Sequence, residues 1–358
     1  MTTQHSTEAP TGGTPTALGY RMPAEWEPHA ATWLSWPRPD GISFPDAYER
    51  VQPALCAMVD ALANSEPVNI NVCDAAHEKI VRGFLAQHGA GTAHVTFHHI
   101  PIDEPWCRDH GPLFVTRREA PRALILDWGF NAWGGKYPPF DNDDVVPTRV
   151  AEKLGLPVLE PRMILEGGSI DVNGTGTLLT TKSCLLNPNR NPTLSQPEIE
   201  QRMRDYLGVT NVLWLGDGIE GDDTDGHVDD LTRFVGQRSV VTVVEHNKED
   251  ANHAPLAENL CLLRTMSAED GSPLEIHELP MPGMIVRDGQ RLPASYANFY
   301  IANTVVLLPV FNDPNDAVAI AALSSLFIGR RVVSIDCTEL IWGLGAFHCL
   351  TQQQPAIE

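Results

Sequence analysis

The segment GHVDD (226–230) carries a histidine and an aspartate that could act together in catalysis. On an extended strand, the side chains of His227 and Asp229 would point to the same side, because side-chain direction alternates along a strand. The carboxylate could then orient the imidazole, or both groups could contact one substrate. The preceding GDDT (221–224) adds acids and a glycine, which is typical of a functional loop. A purely structural His-X-Asp pair is the alternative.

Cys349 is the first candidate for a nucleophile among the seven cysteines. It follows a glycine-containing turn. The cysteines that lie in apolar runs, and are therefore expected to be small core residues, are Cys56, Cys73 and Cys261. Its neighbour His348 would face the opposite side of a strand, so a base has to come from elsewhere, such as His227. Cys107, beside an arginine that favours its thiolate, and Cys184 are the alternatives.

Two further carboxylates, Asp109 in WCRDHGP and Glu166 in LEGGS, stand next to residues that allow a sharp turn. Several carboxylates facing a cysteine do not suit an anionic substrate. They suit a guanidinium group, because its planar fork of N–H donors pairs with carboxylates in a bidentate manner. Trp106 could stack on the plane of that cation. The alternative for each acid, taken singly, is a turn-capping role.

A metal centre is a further interpretation of the histidines and acids. Additional ligands for such a centre would be His29, His98, His99 or His110. The sequence contains no CxxC pair, and a hydrolytic metal site usually needs three protein ligands. We therefore expect neither a structural zinc site nor a catalytic metal.

Helical and strand-like patterns alternate along the chain after its first twenty residues, which indicates an α/β architecture. Apolar residues at helical spacing predict helices over 47–63, 77–88, 147–155, 196–207 and 315–328. Short runs rich in β-formers predict strands over 67–73 and 94–100. No long linker interrupts the pattern, so we expect a single domain over residues 21–358.

Five segments share one pattern, a polar or glycine-containing loop followed by two short strands, at intervals of about 60 residues. The last of them is cut short by the C-terminus, and a strand at 30–37 could complete it, so that the chain ends meet in one unit. A closed ring of such units would bring the five leading loops to one axis. Ordinary βα turns at a chance spacing are the alternative. The polar residues of these loops are Asp109, Glu166, His227, Asn298 and Cys349.

The composition excludes several classes of protein. There are 25 Lys and Arg against 46 Asp and Glu, and the formal net charge of −21 would repel nucleic acid and anionic lipid. No apolar run is long enough to span a bilayer. Residues 1–20 lack the features of a secretion signal and predict a disordered lead-in. With an odd number of cysteines, these features favour a cytoplasmic protein that binds neither nucleic acid nor membranes.

Seven motifs cover nearly the whole chain and together carry a resemblance to a known family. They are WCRDHGP (106–112), FNAWGGKYPPFDNDD (130–144), LEGGSIDVNGTGTLLTT (165–181), CLLNPNRNP (184–192), GDDTDGHVDDLTRF (221–234), ASYANFYIAN (294–303) and FHCLTQQQP (347–355). The chain resembles the agmatine deiminases and the related bacterial-type peptidyl-arginine deiminases, in the pentein superfamily of enzymes that modify guanidino groups. The resemblance implies a five-bladed β/α propeller with pseudo-five-fold repeats, in agreement with the period of the five segments.

The resemblance also implies a reaction and a role for each residue singled out above. Agmatine would be hydrolysed to N-carbamoylputrescine and ammonia, a step of arginine and polyamine metabolism, through a covalent thiouronium intermediate. Cys349 matches the family's nucleophile, and His227 matches its general acid and base. Asp109 and Asp229 match the acids that bind the guanidinium. Glu166 matches the acid of the LEGG motif, which also supports the histidine.

For the rest of the substrate, the resemblance implies a small cationic guanidino compound and no metal or organic cofactor. Trp106 matches the tryptophan that lines the family's substrate channel. The candidates for the far amine are Asp223 first, then Asp222 and Asp225. Propellers of this size often pair, which leaves a homodimer or a larger homo-oligomer open.

The chain departs from the family pattern at several positions. The usual Gly-Gly-Gly-Asn-Ile-His-Cys run reads GLGAFHC (343–349) here, with Ala346 among the replaced residues. His110 stands where threonine is common, and Asp225 stands where asparagine or histidine is common. Other guanidino substrates therefore stay open, namely an arginine derivative, a guanidino acid or a C-terminal peptidyl-arginine. An amidinotransferase, which shares the covalent adduct, is the more distant alternative.

Overall fold

Five small mixed sheets contain most of the strands in the computed structural model, which describes residues 13–357. In sheets 1 to 4, the first strand pairs antiparallel with the second, and the second pairs parallel with the third. Sheet 1 contains the strands Leu113–Thr116, Ala123–Leu126 and Val158–Leu159, and sheet 2 contains Ile170–Val172, Thr177–Thr181 and Asn211–Leu215. Sheet 3 contains Thr232–Phe234, Ser239–Val244 and Glu275–Pro280, and sheet 4 contains Tyr300–Ile301, Val305–Val310 and Arg331–Asp336. A separate hairpin pairs Val286–Arg287 with Gln290–Arg291.

Sheet 5 joins the two ends of the chain. His29–Ser35 pairs antiparallel with Thr351–Pro355 and parallel with Val68–Val72, and Val95–His99 extends the sheet beyond the latter strand. This sheet thus repeats the pattern of the other four with one strand added. The prediction that a strand at 30–37 completes the truncated last segment is confirmed.

Six helices of nine or more residues connect these strands within the described part of the chain. They are Tyr48–Ala63, Ala75–Gln87, Val146–Leu154, Gln196–Leu207, His253–Leu263 and Asp316–Leu326. The second begins where the Asp74 carboxylate accepts hydrogen bonds from two backbone N–H groups. The fourth begins with a capping box of Ser195 and Glu198 and ends at Gly208 in the left-handed conformation. Local sequence therefore sets the ends of these helices.

The predicted elements agree with the structure in type and, within a few residues, in bounds. All five predicted helices and both predicted strands are present. The helix His253–Leu263 was not predicted. Cys261, which we assigned to the core from its apolar neighbours, is exposed on that helix. The apolar run there extends around the helix, so periodicity did not show which face is buried.

Short helical turns lie just before the first strands of four sheets. They are Cys107–His110, Gly167–Ser169, Val228–Asp230 and Phe347–Leu350. Neighbouring turns contact one another, so residues far apart in sequence meet at one end of the fold. The expectation that His227 and Asp229 share a strand, and that Cys349 lies on one, is therefore wrong. His227 caps one helical turn, Asp229 lies within that turn, and Cys349 lies within another.

The predicted lead-in over residues 1–20 falls partly outside the described residues, since residues 1–12 are not among them. Its later part is ordered against the body of the protein. Thr16–Leu18 forms a helical turn, and Tyr20 is buried with its hydroxyl donating to the Pro121 carbonyl at 2.6 Å. Within residues 13–357, no helix combines the length and apolarity that crossing a membrane requires.

Further short elements complete the described chain without changing this arrangement. They are the helical turns Ala132–Gly135, Asp141–Asp144, Lys182–Leu185 and Leu340–Gly343. The longest helix, Tyr48–Ala63, packs against strands of both sheet 4 and sheet 5 and buries ten of its sixteen residues. Burial of this kind is the main source of stability for such helices.

Candidate active site

A pocket of about 180 Å³ opens where the helical turns meet. Its lining includes Asp109 and Cys349 from two of those turns. Three indole rings, those of Trp106, Trp133 and Trp342, form part of its walls. Acids together with aromatic faces suit a slender cation, because the rings attract positive charge and cover an alkyl chain.

Three of the predicted site residues surround Gly168. A Cβ atom placed on this glycine would lie 2.6 Å from Nδ1 of His227, 2.8 Å from Oδ1 of Asp109 and 2.9 Å from Oδ2 of Asp229. The Oδ2 atom of Asp229 is in turn 3.7 Å from Sγ of Cys349. The structure therefore brings together an imidazole, two carboxylates and a thiol from three helical turns.

Replacement of Gly168 by alanine is expected to lower kcat/KM about 100-fold, because displacement of catalytic groups by an ångström costs about that much. The methyl group would overlap all three surrounding side chains. Steady-state ammonia release measures the effect. The matched control is Gly83→Ala, where a Cβ atom meets no heavy atom within 4 Å. Near-normal kcat/KM in a folded Gly168→Ala variant would contradict this geometry.

The carboxylate of Asp109 is held in place by two N–H donors. The backbone N–H of Gly168 donates to Oδ1 at 3.0 Å, and the indole N–H of Trp133 donates to Oδ2 at 2.9 Å. Burial raises the pKa of Asp109 to about 6, although His227 opposes the shift. The carboxylate is thus held in one orientation, but its negative charge is poorly compensated, which favours binding of a cation.

Trp133 is a site residue to which sequence reasoning gave no role. It lies in the AWGG segment of a motif that we used only for the family resemblance. Four consecutive residues there have positive φ angles, 52° at Ala132, 56° at Trp133, 89° at Gly134 and 79° at Gly135. Such a run is rare for residues other than glycine and is often found at functional sites. Here it directs the indole N–H to Asp109.

Asp229 is oriented by His348, which does not line the pocket. Nδ1 of His348 lies 2.7 Å from Oδ2 of Asp229, and Nε2 lies 2.8 Å from Oε2 of Glu25. This contact outweighs burial and lowers the pKa of Asp229, which keeps the carboxylate ionised. Its Oδ1 atom is buried and has no hydrogen-bond partner among the described residues. We considered His348 only as a base and missed this positioning role.

A buried group of charges lies behind His348. Glu25 pairs with Arg108 at 3.2 Å and with Arg233 at 3.0 Å. Burial alone would favour the neutral acid, but Arg233 and His348 lower the pKa of Glu25 well below its usual value. These alternating charges hold the imidazole ring of His348 in one orientation, and the ring in turn holds the carboxylate of Asp229.

The thiol of Cys349 lies at the pocket wall and contacts polar side chains. Nδ2 of Asn298 lies 3.0 Å from Sγ, while Oδ1 of Asn298 accepts from the backbone N–H groups of His348 and Cys349. Burial, followed by Asp229 and other nearby acids, raises the pKa of the Cys349 thiol well above its usual value. Asn298 was singled out by the repeat pattern, but without a role. The free site therefore holds a thiol rather than a thiolate.

His227 is buried, and neither ring nitrogen has a hydrogen-bond partner among the described residues. Burial opposes its charge, but Asp109, at 3.7 Å from Nδ1, is the main cause that raises the pKa of His227 well above the usual value. The imidazole can therefore carry a proton at neutral pH. Glu166 lies near this ring and is itself paired with Arg190, whose Nε is 2.5 Å from Oε1.

Of the three acids predicted for the substrate's far amine, Asp223 lines the pocket. Its carboxylate contacts the hydroxyl of Tyr137, and burial raises its pKa. Asp222 instead accepts hydrogen bonds from Thr224 and from the backbone N–H of His227. Asp225 is bound to other side chains, with Arg190 at 2.6 Å, Lys136 at 2.8 Å and Asn189 at 2.9 Å.

The remaining residues singled out from the sequence lie around this centre. The indole N–H of Trp106, on the pocket wall, donates to the Ser43 hydroxyl at 2.9 Å. His110 is buried, and its Nε2 lies 3.1 Å from the Glu104 carbonyl. Ala346 precedes the turn that carries Cys349. Burial raises the pKa of Cys107 to about 12, which disfavours it as a nucleophile.

Comparisons with known proteins match nearly the whole chain to deiminases of guanidino groups. The family model for Porphyromonas-type peptidyl-arginine deiminases matches residues 21–355. An agmatine deiminase of Pseudomonas aeruginosa (strain LESB58) is 39% identical over 373 aligned positions, which cover 96% of this chain and 97% of that protein.

Solved structures of agmatine deiminases are also similar to this chain over nearly its whole length. The agmatine deiminase of Enterococcus faecalis superposes with a TM-score of 0.91 at 34% identity, covering 97% of this chain and 99% of that one. A variant agmatine deiminase of C. jejuni with substrate bound superposes with a TM-score of 0.85 at 27% identity, covering 94% of this chain and 96% of that one. The mixed α/β fold described above is therefore the fold of these enzymes.

Proposed function

The chain belongs to the Porphyromonas-type peptidyl-arginine deiminase family, and on this basis we propose that it hydrolyses agmatine to N-carbamoylputrescine and ammonia. The observation that carries the proposal is the buried carboxylate of Asp229, whose Oδ2 lies 3.7 Å from Sγ of Cys349 and whose Oδ1 has no hydrogen-bond partner among the described residues. A guanidinium supplies the N–H donors and the positive charge that this oxygen lacks. The agmatine deiminases among the relatives support agmatine as the substrate.

The guanidinium binds between Asp109 and Asp229, which approach the same point from two sides. Both oxygens of Asp109 already accept one hydrogen bond each, whereas on Asp229 only Oδ2 is engaged, by His348. The alkyl chain then follows the aromatic wall of the pocket. The distant amine pairs with Asp223, whose half-buried carboxylate lines the same pocket.

The first chemical step forms a carbon–sulfur bond and releases ammonia. The Cys349 sulfur attacks the central guanidinium carbon, which Asp229 holds near it. His227 donates its proton to one of the unsubstituted nitrogens, and that nitrogen leaves as ammonia. The product of this step is a thiouronium linking Cys349 to the alkylamino group of the substrate.

The second step hydrolyses that adduct. His227, now neutral, takes a proton from a water molecule, and the water oxygen bonds to the thiouronium carbon. The carbon–sulfur bond breaks with its electron pair on sulfur, the remaining proton of the water restores the Cys349 thiol, and the ureido product is left in the pocket. One water is consumed and one ammonia is released, and no external oxidant or group acceptor takes part.

The acids that bind the guanidinium oppose formation of the thiolate, because they raise the pKa of Cys349 in the free site. A bound guanidinium compensates Asp109 and Asp229 with a positive charge. It lowers the pKa of the thiol, so that the thiol proton passes to solvent and the attacking thiolate is available when substrate is present. The site is thereby protected from reaction with other electrophiles while it is empty.

The five sheets fit a closed five-bladed β/α propeller, which we propose as the complete form of the fold. It is supported by the repeated strand order in sheets 1 to 4 and by sheet 5, which joins the chain ends. Residues 21–358 would form one catalytic domain in a cytoplasmic enzyme. The contacts between the helical turns then correspond to the axis of the ring.

A screen of guanidino compounds tests the proposed substrate. We expect ureido product and ammonia in equal amounts from agmatine, with kcat/KM about 100-fold above that for arginine, 4-guanidinobutyrate or a C-terminal arginyl peptide. The carboxylates of these three repel Asp223. In the Asp223→Asn variant, the ratio of kcat/KM for agmatine to kcat/KM for these three compounds should be smaller than in the parent. A preference for one of them would assign another guanidino substrate, and absence of ureido product from all four would exclude deimination.

A further inference from the structure

Three side chains of metal-ligand type meet behind the proposed acid–base histidine. A carboxylate oxygen of Glu166, the sulfur of Cys184 and a ring nitrogen of His227 all lie within 4.8 Å of one another. Each of the three residues is fully buried. Within residues 13–357, no other group of three such side chains was found. Cys184 takes no part in the proposed hydrolysis, so that reaction does not explain why a thiol lies beside the other two side chains.

Several polar atoms of this group have no partner. Oε2 of Glu166 and both ring nitrogens of His227 make no hydrogen bond with the described residues. A buried polar atom without a partner costs free energy, and such atoms are rare in folded proteins. These atoms belong to the two side chains that form the group with Cys184, so an ion coordinated through Oε2 and one ring nitrogen would give both atoms a partner.

The three side chains are held by the surrounding structure. The backbone N–H of Cys184 donates to the Thr181 hydroxyl at 3.3 Å, and that hydroxyl donates to the Gly226 carbonyl, next to His227, at 2.5 Å. Glu166 is fixed through its other oxygen by Arg190. Asp225 also pairs with this arginine, at 2.6 Å, and offsets its positive charge. The ligands are therefore in place before any ion binds.

We propose that Glu166, Cys184 and His227 form an inhibitory site for a thiophilic divalent cation, with Zn²⁺ as the best fit. Sulfur, nitrogen and oxygen are its usual ligands, and three protein ligands leave a fourth position for water. On binding, the Cys184 thiol and the His227 imidazolium each lose one proton to solvent, so that the sulfur and one ring nitrogen are free to coordinate the ion. The binding is independent of the proposed function, but the inhibition rests on it, because the bound ion occupies the acid–base histidine.

Metal binding is tested with the purified full chain in a Cys261→Ser background, which removes the exposed thiol. Calorimetric titration with Zn²⁺ should show one tight equivalent, and agmatine hydrolysis should stop as this equivalent binds. Cys184→Ala should weaken zinc binding about 100-fold or more, by analogy with the loss of supporting groups at metal sites. The matched control is Cys337→Ala, another fully buried thiol, which should bind zinc normally.

A second comparison separates this site from zinc bound to the nucleophile. Cys349→Ala should still bind one equivalent, and Co²⁺ in place of Zn²⁺ should give a thiolate-to-cobalt absorption band that Cys184→Ala lacks. Cys184→Ser, which preserves the side-chain volume, repeats the test if the alanine variant does not fold. Loss of binding in Cys349→Ala with retention in Cys184→Ala would overturn the proposal, as would the absence of tight binding in the parent. If the chain binds zinc at Cys184 but does not hydrolyse agmatine, the proposed function is refuted and the metal site is not.

Discussion

Replacement of Cys349 by serine is expected to lower kcat for agmatine by about 10⁴-fold or more, as for nucleophiles in other covalent mechanisms. A hydroxyl at this position stays protonated at neutral pH, and its contacts are with the Asn298 amide and the already engaged Asp229. Agmatine should still bind, because both carboxylates that receive the guanidinium remain. Single-turnover ammonia release and calorimetric binding of agmatine measure the two effects separately.

The control for this substitution is Cys337→Ser, which changes another buried cysteine outside the pocket and should leave kcat nearly unchanged. Turnover of the Cys349→Ser protein within tenfold of the parent would contradict the assignment of the nucleophile. A loss of agmatine binding together with turnover would indicate instead that the substitution disturbs Asp229.

Replacement of His227 by glutamine is expected to lower kcat by about 10²–10⁴-fold, the usual contribution of a positioned acid–base group. The amide can neither donate a proton to the departing ammonia nor accept one from water. Because Asp109 raises the pKa of His227, the imidazolium persists at neutral pH and is lost only as pH rises through that elevated value. The alkaline decline in kcat/KM of the parent, which reports the free enzyme, should be absent from the variant.

A pH series of ammonia release for parent and variant provides this measurement. The comparison substitution is His277→Gln, which changes a partly exposed histidine paired with Glu275 at 3.5 Å and should preserve both rate and profile. An unchanged alkaline limb in the His227→Gln protein would show that another group supplies the proton. The KM for agmatine should change little in either variant.

Sequence reasoning found the reactive residues because their motifs are local. His227 and Asp229 are two positions apart, and two glycines directly follow Glu166, so each motif could be recognised within one short segment of the sequence. The repeat pattern also identified Asn298 and the strand that joins the chain ends. What it did not give was the conformation of these segments, since a single helical turn before a strand has too few residues for a periodic pattern.

Residues that orient the reactive groups were harder to find, because their contacts join distant parts of the chain. Glu25 and His348 are 323 positions apart, and the pairing of Trp133 with Asp109 depends on a run of positive φ angles. Neither relation leaves a pattern in one sequence. The misassignment of Cys261 has a related cause, since a short apolar helix does not reveal which of its faces meets the core.

Mass spectrometry of the Cys349 peptide during turnover tests the covalent mechanism most directly. The parent enzyme, mixed with excess agmatine and quenched in acid within the first turnover, should carry an adduct of agmatine less ammonia on this peptide. The adduct should disappear as substrate is exhausted. An enzyme that releases ammonia from agmatine while this peptide stays unmodified at every quench time, or that carries the adduct on Cys184, would contradict the account.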